Sequence, residues 1–233
     1  MVSVLVYHEV GDFRRKRGVS AVDLQRHLEL IASSGAEFAE PRGFDPGTVR
    51  QQKSMQFLLT FDDATEGHRS VAFEFLNRYN AHGLFFVPTE KIGKPHRLRQ
   101  TEIIELSAAG HSLGVHGHTH DRWDHLDVMG LTRELSMSRS IIEEMSGEPP
   151  EHTAPPGGFT SHVVRQVVSN MGFATLRSMR WGLSCGDDAF AMSVLPMTHQ
   201  FGDMFIRAAL AGRGSSLIRA TYAAKKAFRY FRP

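Results

Sequence analysis

The 233-residue chain has a single cysteine, Cys185, and no apolar run long enough to span a membrane. One cysteine cannot form an internal disulfide, so the sequence excludes a disulfide-stapled secreted scaffold, and we interpret Cys185 as an inert thiol. The apolar stretch that starts at Val2 stops at Tyr7 and has no basic residue before it, unlike a secretory signal. We therefore expect a cytoplasmic protein.

Acidic residues are missing from Arg207 onwards, where the chain carries seven basic ones. The part before Arg207 holds 20 basic against 25 acidic residues, so the total charge of +2 hides a weakly acidic body and a basic end. Hydrophobic residues make up 41% of the chain and charged residues 22%, which is typical of a folded globular domain. We predict one domain over residues 1–202 and a basic helical appendage over residues 203–233.

The basic appendage has two interpretations. Its residues 219–232 have the pattern of a helix in which Tyr222, Phe228 and Phe231 lie among basic side chains. Such a helix either packs on the domain through its apolar side or makes a peripheral contact with the inner face of a membrane. Nucleic acid is disfavoured as a partner, because the acidic body would oppose it.

Short apolar runs alternate with segments of helical periodicity along residues 1–200. Ser20 is a helix start signal, and Gly35, Gly110, Gly147 and Gly172 follow the predicted helices. This alternation predicts βαβ units, and therefore a parallel α/β sheet or barrel with helices outside. The predicted strands are Val2–Tyr7, Phe57–Phe61, Leu84–Val87, Ser112–Val115, Ala174–Leu176 and Met192–Met197.

Two adjacent carboxylates, Asp62 and Asp63, follow the strand predicted to end at Phe61. In parallel α/β folds the functional groups lie at the carboxyl ends of the strands. Adjacent residues at a strand end point to different sides, so one carboxylate can bind a metal while its neighbour accepts a proton. An Asp pair alone can equally cap the next helix, so this interpretation needs support from elsewhere in the chain.

Three histidines within five residues, His116, His118 and His120, follow the strand predicted to end at Val115. The four-residue separation of His116 and His120 can bring two imidazoles together over one turn. Two imidazoles and a carboxylate suit Zn²⁺ or a similar divalent ion and leave an open position for water. His118 lies between the pair and need not be a ligand.

The third polar cluster is the turn Pro155-Pro156-Gly157-Gly158 before a predicted helix. Prolines fix the backbone and glycines allow a substrate to approach it, so N–H groups of this turn can donate to an oxyanion. The same sequence is also compatible with an ordinary strand-to-helix turn.

In this order, TFDDA at 60–64, HGHTH at 116–120 and PPGG at 155–158 resemble the NodB-like polysaccharide deacetylase family, carbohydrate esterase family 4. The opening YHEV, GLFFVPTEKIG at 83–93 and RWGL at 180–183 are similar to that family as well. The resemblance covers most of residues 1–200. It implies an irregular, TIM-like (β/α) barrel with a divalent metal at the carboxyl ends of the strands.

The resemblance implies that Asp63, His116 and His120 bind the metal and that Asp62 is the catalytic base. The implied metal is Zn²⁺, with Co²⁺, Ni²⁺ or Mn²⁺ as alternatives. Amide hydrolysis needs an activated water, a polarised carbonyl and a proton donor, and a metal with an open position supplies the first two. A backbone N–H in the turn formed by Pro156, Gly157 and Gly158 would hold the oxyanion.

The chain departs from the family pattern at three positions. Ala64 stands where the first motif usually has Gly, and Gly157 stands in an aromatic slot of the third motif. Ala154 aligns with an Arg that, in many members, orients the catalytic Asp. Without this Arg, either another group holds Asp62 or the activity is reduced.

The proton donor has two candidates. His199 follows the last predicted strand and partly matches the family's Leu-x-His motif, whereas His8 ends the first strand and should face the same mouth as Asp62. Each is equally interpretable as a hydrogen-bonded histidine at a strand end. Arg180 and Trp181 are candidates for the lining of the sugar groove, because aromatic faces suit pyranose rings, although Trp181 can equally be structural.

Three functions fit these residues. The first is a metal-dependent N-deacetylase acting on an amino sugar of a surface polysaccharide or its precursor, and a cytoplasmic enzyme would act on a glycan under assembly or a nucleotide sugar. The second is hydrolysis of another non-peptide C–N bond, and the third is a catalytically weak carbohydrate-binding relative. Asp62 argues against the third, because a structural metal site needs only Asp63 and the two histidines.

Overall fold

The computed structural model describes residues 1–11, 18–49, 54–184, 188–212, 218 and 220. Cys185 and nearly all of the basic helix predicted over residues 219–232 lie outside these residues. Within the described part of the chain, no helix combines the length and the apolar composition needed to cross a bilayer.

Eight strands, all paired in parallel, form one sheet in the described residues. They are β1 (Val2–Tyr7), β2 (Glu37–Phe38), β3 (Gln56–Asp62), β4 (Gly83–Val87), β5 (Ser112–Val115), β6 (His152–Thr153), β7 (Thr175–Trp181) and β8 (Met192–Pro196). β1 pairs with both β3 and β8, so seven strands close into a barrel and β2 extends the sheet beyond β3. The predicted (β/α) barrel is confirmed.

Seven α-helices accompany these strands in the same described ranges. They are α1 (Ala21–Ser33), α2 (Pro46–Val49), α3 (Phe73–Arg78), α4 (Gln100–Ala108), α5 (Val128–Ser146), α6 (His162–Asn170) and α7 (Gly202–Leu210). Ser20 and Asp23 form the capping box that begins α1, and α5 ends at Gly147 in the left-handed conformation. The helix boundaries predicted from these two signals are therefore confirmed.

Alternate residues of the strands face two different apolar layers. Val4 and Val6 of β1 pack with Leu58 of β3 in one cluster. Leu5 and Tyr7 belong to a second cluster, which also contains buried residues of the helices. Side chains in phase with Val4 and Leu58 therefore face the barrel interior, and continuing this alternation brings His8 and Asp62 to the same side at the mouth.

α7 packs against α1 and the end of β7. Arg26 donates from Nε to Asp203 Oδ2 over 2.7 Å, and the ring of Phe205, which is fully buried, lies 5.7 Å from the ring of Trp181. The beginning of the predicted appendage, residues 203–210, thus contributes to the core around the barrel.

Four elements depart from the sequence-based expectation. β2 and β6 have two residues each, too few to show an alternating pattern. β7 continues to Trp181. The sequence predicted an end at Leu176, because the charged Arg177 interrupts the apolar run there. A π-helix at His68–Ala72 leads into α3 and was not predicted; such segments occur often at functional sites.

Candidate metal centre and active site

Asp63, His116 and His120 converge at the carboxyl end of the barrel. One ligand atom from each lies within 4.8 Å of the others. His120 Nε2 is 2.9 Å and His116 Nε2 is 3.5 Å from Asp63 Oδ1. Ligands of a tetrahedral Zn²⁺ at about 2.0 to 2.2 Å lie roughly 3.4 Å from each other, so the three groups fit a divalent ion with little movement.

The turn after β3 aims the two carboxylates in different directions. Asp63 and Ala64 both have positive φ, 76° and 48°, a left-handed conformation that non-glycine residues seldom adopt. Arg97 supports the turn by donating from Nη1 to the Asp63 carbonyl. This backbone explains why a glycine would suit position 64, and why Ala64 is tolerated there with some strain.

His116 is held in the tautomer that a metal ligand needs. Its Nδ1 lies 2.6 Å from the Ala154 carbonyl oxygen, which can only accept a hydrogen bond. Nδ1 therefore carries the proton, and the lone pair of Nε2 faces Asp63. Ala154 does not supply the charge of the family's Arg, but its backbone orients a candidate metal ligand.

The histidine loop is fixed by a carboxylate that the sequence pattern did not reveal. Glu134 of α5 is buried, and its Oε2 accepts from the backbone N–H groups of His118 and Thr119 at 2.8 and 3.0 Å. His118 Nδ1 lies 2.9 Å from Thr89 Oγ1, so its ring is engaged away from the ligand set. This agrees with the expectation that His118 need not bind metal.

The Asp63 carboxyl is ionised near neutral pH. Burial would raise the pKa of Asp63, but the neighbouring imidazoles of His116 and His120 outweigh this effect, and the pKa lies well below its usual range. A carboxylate ligand must be deprotonated, so this environment prepares Asp63 for a cation.

Asp62 is held by Arg177 from the other side of the barrel. Arg177 Nη2 donates to Asp62 Oδ2 over 2.5 Å, and both side chains are buried. Asp62 Oδ1 is buried as well and has no hydrogen-bond partner among the described residues. One carboxylate oxygen is therefore fixed, while the other remains able to accept a proton.

Arg177 provides the cation beside Asp62 that Ala154 does not. Its guanidinium lies 5.0 Å from the centroid of the Phe86 ring, and Ala154 packs in the same cluster as Phe86. β7 pairs with β6, so the cation reaches Asp62 from the strand next to the one that Ala154 follows. An arginine directly after the strand predicted over Ala174–Leu176 was the sequence signal that could have indicated this residue.

Of the two candidate proton donors, His8 lies beside Asp62. Its Nε2 is 3.8 Å from Asp62 Oδ2. Its carbonyl oxygen is 2.6 Å from His68 Nε2 and accepts from Thr65 Oγ1 over 3.1 Å. Gly67 allows the segment after His8 to pack closely against it, because a Cβ at position 67 would lie 1.8 Å from the carbonyl oxygen of Val10.

His199 lies beyond β8 with an exposed side chain, and its backbone N–H donates to the Gly18 carbonyl over 3.2 Å. Arg180 is also exposed, and it donates to Ser193 Oγ from Nε and to the Ala191 carbonyl from Nη2. Trp181 packs against Phe205, as described above. A direct role for these three residues stays a prediction.

The Pro156–Gly158 turn begins three residues after the end of β6, and the Ala154 carbonyl in between contacts His116. Pro156 has no N–H, and the Gly158 N–H donates to the Pro155 carbonyl over 2.8 Å. Among the three residues predicted to hold the oxyanion, Gly157 is therefore the one whose N–H can donate to it.

A family model described as polysaccharide deacetylase matches residues 50–176, more than half of the chain. The chain belongs to the polysaccharide deacetylase family. The span matched by the deacetylase model contains Asp62, Asp63, His116 and His120. It ends one residue before Arg177, which therefore lies outside the match.

Two relatives that are named as deacetylases are similar to part of the chain. A chitin deacetylase from Pestalotiopsis sp is 22% identical over 122 residues, which cover 52% of this chain and 41% of the relative. The peptidoglycan-N-acetylmuramic acid deacetylase PdaC of Bacillus subtilis (strain 168) is 28% identical over 125 residues, which cover 53% of this chain and 26% of the relative. The similarity thus spans less than half of either relative.

A solved structure has a fold similar to that of this chain. IcaB from Ammonifex degensii superposes with a TM-score of 0.82 over 90% of this chain and 97% of that protein, at 20% identity. At this identity the likeness concerns the fold, which agrees with the closed barrel described above.

Proposed function

We propose that this protein is a metal-dependent hydrolase that removes the N-acetyl group from an amino sugar of a glycan. One observation carries the proposal: the adjacent carboxylates have separate environments. Asp63 is grouped with two imidazoles, whereas Asp62 is paired with Arg177 and keeps Oδ1 unpartnered among the described residues. A ligand next to a base is the arrangement that hydrolysis of an unreactive amide requires.

The donor set fits a divalent ion, and we propose Zn²⁺. Two imidazoles and one carboxylate leave a coordination position for water. The three ligand atoms already lie within 4.8 Å of one another, so they need little movement to bind one ion. A bound divalent metal supplies a Lewis acid and lowers the pKa of a coordinated water toward about 7.

Asp62 and His8 would divide the proton transfers. Asp62 Oδ1 accepts a proton from the water whose oxygen bonds to the acetyl carbon, while Arg177 keeps Oδ2 in place. The Gly157 N–H donates to the developing oxyanion. His8 Nε2 gives a proton to the nitrogen as the C–N bond breaks, so the products are acetate and a free amine.

The substrate class follows from the named relatives. One acts on chitin and the other on N-acetylmuramic acid of peptidoglycan, and both substrates contain N-acetylated hexosamines. The hypothesis of a catalytically weak relative rests on the missing cation at position 154 and on the uncertain proton donor, and Arg177 removes the first of these grounds by providing a cation.

The test is acetate release by the full-length protein from N-acetylglucosamine oligomers and from peptidoglycan fragments. We expect release that stops after chelation, returns with Zn²⁺ and is absent from the Asp62→Asn variant. Bound metal without acetate from either substrate would contradict the proposal. Equal release by Asp62→Asn would contradict the role of Asp62.

A further inference from the structure

The mouth of the barrel has an exposed aromatic ring that the proposed chemistry does not use. Phe159 follows the Pro156–Gly158 turn directly, and 48% of it is exposed. The edge of its ring lies on Gly157, where a Cβ would come 3.1 Å from ring atoms Cδ2 and Cε2. Phe159 is thus mounted on the turn that holds the proposed oxyanion donor.

The loop that carries the metal ligands covers one face of this ring. The guanidinium carbon of Arg122 is 3.6 Å from the Phe159 centroid, a close cation–π contact. Arg122 donates from Nε and Nη2 to the two carboxylate oxygens of Asp124, at 3.0 and 2.6 Å. Because Arg122 follows His120 by only two residues, the ring packs against the loop that carries this proposed metal ligand.

This arrangement presents two features of a sugar-binding surface. A ring held rigid from behind offers its remaining apolar surface to the C–H groups of a pyranose at small entropic cost. Arg122 Nη1 donates to no described residue, since Nε and Nη2 make the contacts to Asp124. A hydroxyl at the rim of the same sugar can accept from it.

We propose that Phe159 and Arg122 form a glycan platform. The ring stacks on a hexopyranose next to the sugar that loses its acetyl group, and Arg122 Nη1 donates to a hydroxyl of that neighbouring sugar. This inference rests on the proposed function, because it assumes that the sugar at the metal centre belongs to a chain. It makes the protein selective for oligomers over single sugars.

The test is calorimetric binding of the N-acetylglucosamine tetramer and monomer to the Asp62→Asn protein, in which turnover does not interfere. We expect Phe159→Leu, which keeps apolar volume but lacks a flat face, to weaken tetramer binding about tenfold, or about 1.4 kcal/mol. Monomer affinity should stay the same, and Phe159→Tyr should bind the tetramer normally. Arg122→Met should weaken the tetramer as well.

Val163→Ala is the matched control, because Val163 is another exposed apolar side chain near the beginning of α6. Unchanged tetramer binding by Phe159→Leu, an equal loss for tetramer and monomer, or no tetramer binding to the parent protein would each overturn the platform. Acetate release by the wild-type protein is measured separately. Tetramer binding that depends on Phe159 without acetate release would contradict the proposed function and leave the platform intact.

Discussion

Arg177 of β7 and Asp62 of β3 are 115 residues apart in the sequence, yet Nη2 of one lies 2.5 Å from Oδ2 of the other. Both side chains are almost fully buried, at 3% and 4% exposure. Such a pair contributes little net stability relative to an apolar pair, but removing one partner leaves a charge without compensation. The contact therefore ties the stability of the barrel to the orientation of its proposed base.

Replacing Arg177→Met should lower the free energy of unfolding by about 3 kcal/mol, because the Asp62 carboxylate would stay buried without its partner. The double variant Asp62→Asn/Arg177→Met should recover much of that loss. Urea unfolding monitored by circular dichroism measures both. If Arg177→Met lowers the free energy of unfolding by the same amount in the wild type and in the Asp62→Asn protein, the two residues are not coupled.

An arginine introduced at position 154 should partly replace Arg177 in orienting Asp62. In Arg177→Met we expect kcat for acetate release to fall at least tenfold with little change in KM, because a misoriented base impairs the transition state more than substrate binding. Adding Ala154→Arg should restore part of kcat, since Ala154 and Arg177 both lie next to Phe86. Normal kcat in the single variant would exclude a positioning role.

The two candidate proton donors can be separated by single substitutions. His8→Asn should lower kcat about 100-fold, a typical contribution of general acid catalysis, because His8 Nε2 is 3.8 Å from Asp62 Oδ2. His199→Asn should leave kcat within about twofold of the wild type. Bound metal per chain, measured by atomic absorption, should be the same in both variants. The reverse order of effects would assign the role to His199.

Glu134 should control metal affinity without touching the metal. Glu134→Ala removes the acceptor for two backbone N–H groups of the histidine loop, so Zn²⁺ affinity should fall about 10- to 100-fold. Glu134→Gln keeps an acceptor oxygen and should lose less. Competition with a chromogenic chelator measures both affinities. Equal affinities for Glu134→Ala and the wild type would show that the loop keeps its shape unaided.

Three buried histidines should make the fold less stable in acid. Burial lowers the pKa values of His27, His68 and His111 to about 4 each, from an ordinary value near 6.5. Between these values the unfolded chain binds protons that the folded chain does not, so stability falls as pH decreases from about 6.5 to 4. Each histidine can account for up to about 3 kcal/mol of this loss.

Urea unfolding at pH 7.5, 6 and 5 measures this slope. His111→Asn should flatten it, because an Asn oxygen can replace Nδ1 as acceptor for the Gly83 N–H without a proton to bind. His162→Gln, at an exposed position, is the matched control. An unchanged slope in His111→Asn would mean that other groups cause the acid sensitivity.

The sequence predicted the parts of the site that lie close together along the chain. Asp62 and Asp63 lie at the end of one strand and His116 and His120 follow another, and the resemblance of these motifs to the family grouped them. Arg177 could be noticed as an arginine next to an apolar run, but its partner could not be predicted, because it depends on how the Arg177 side chain reaches across the barrel interior. Glu134 was hidden for a related reason, since one carboxylate among many on an amphipathic helix carries no distinguishing pattern.

Gly67 carries no functional group, yet it limits which sequences can work. The Val10 carbonyl oxygen occupies the volume that any side chain at position 67 would need, and Val10 lies two residues after His8. A mutational scan should therefore find position 67 as intolerant as the charged residues of the centre. In such a scan, a position can be intolerant to substitution because the backbone needs the space, and not only because a side chain performs chemistry.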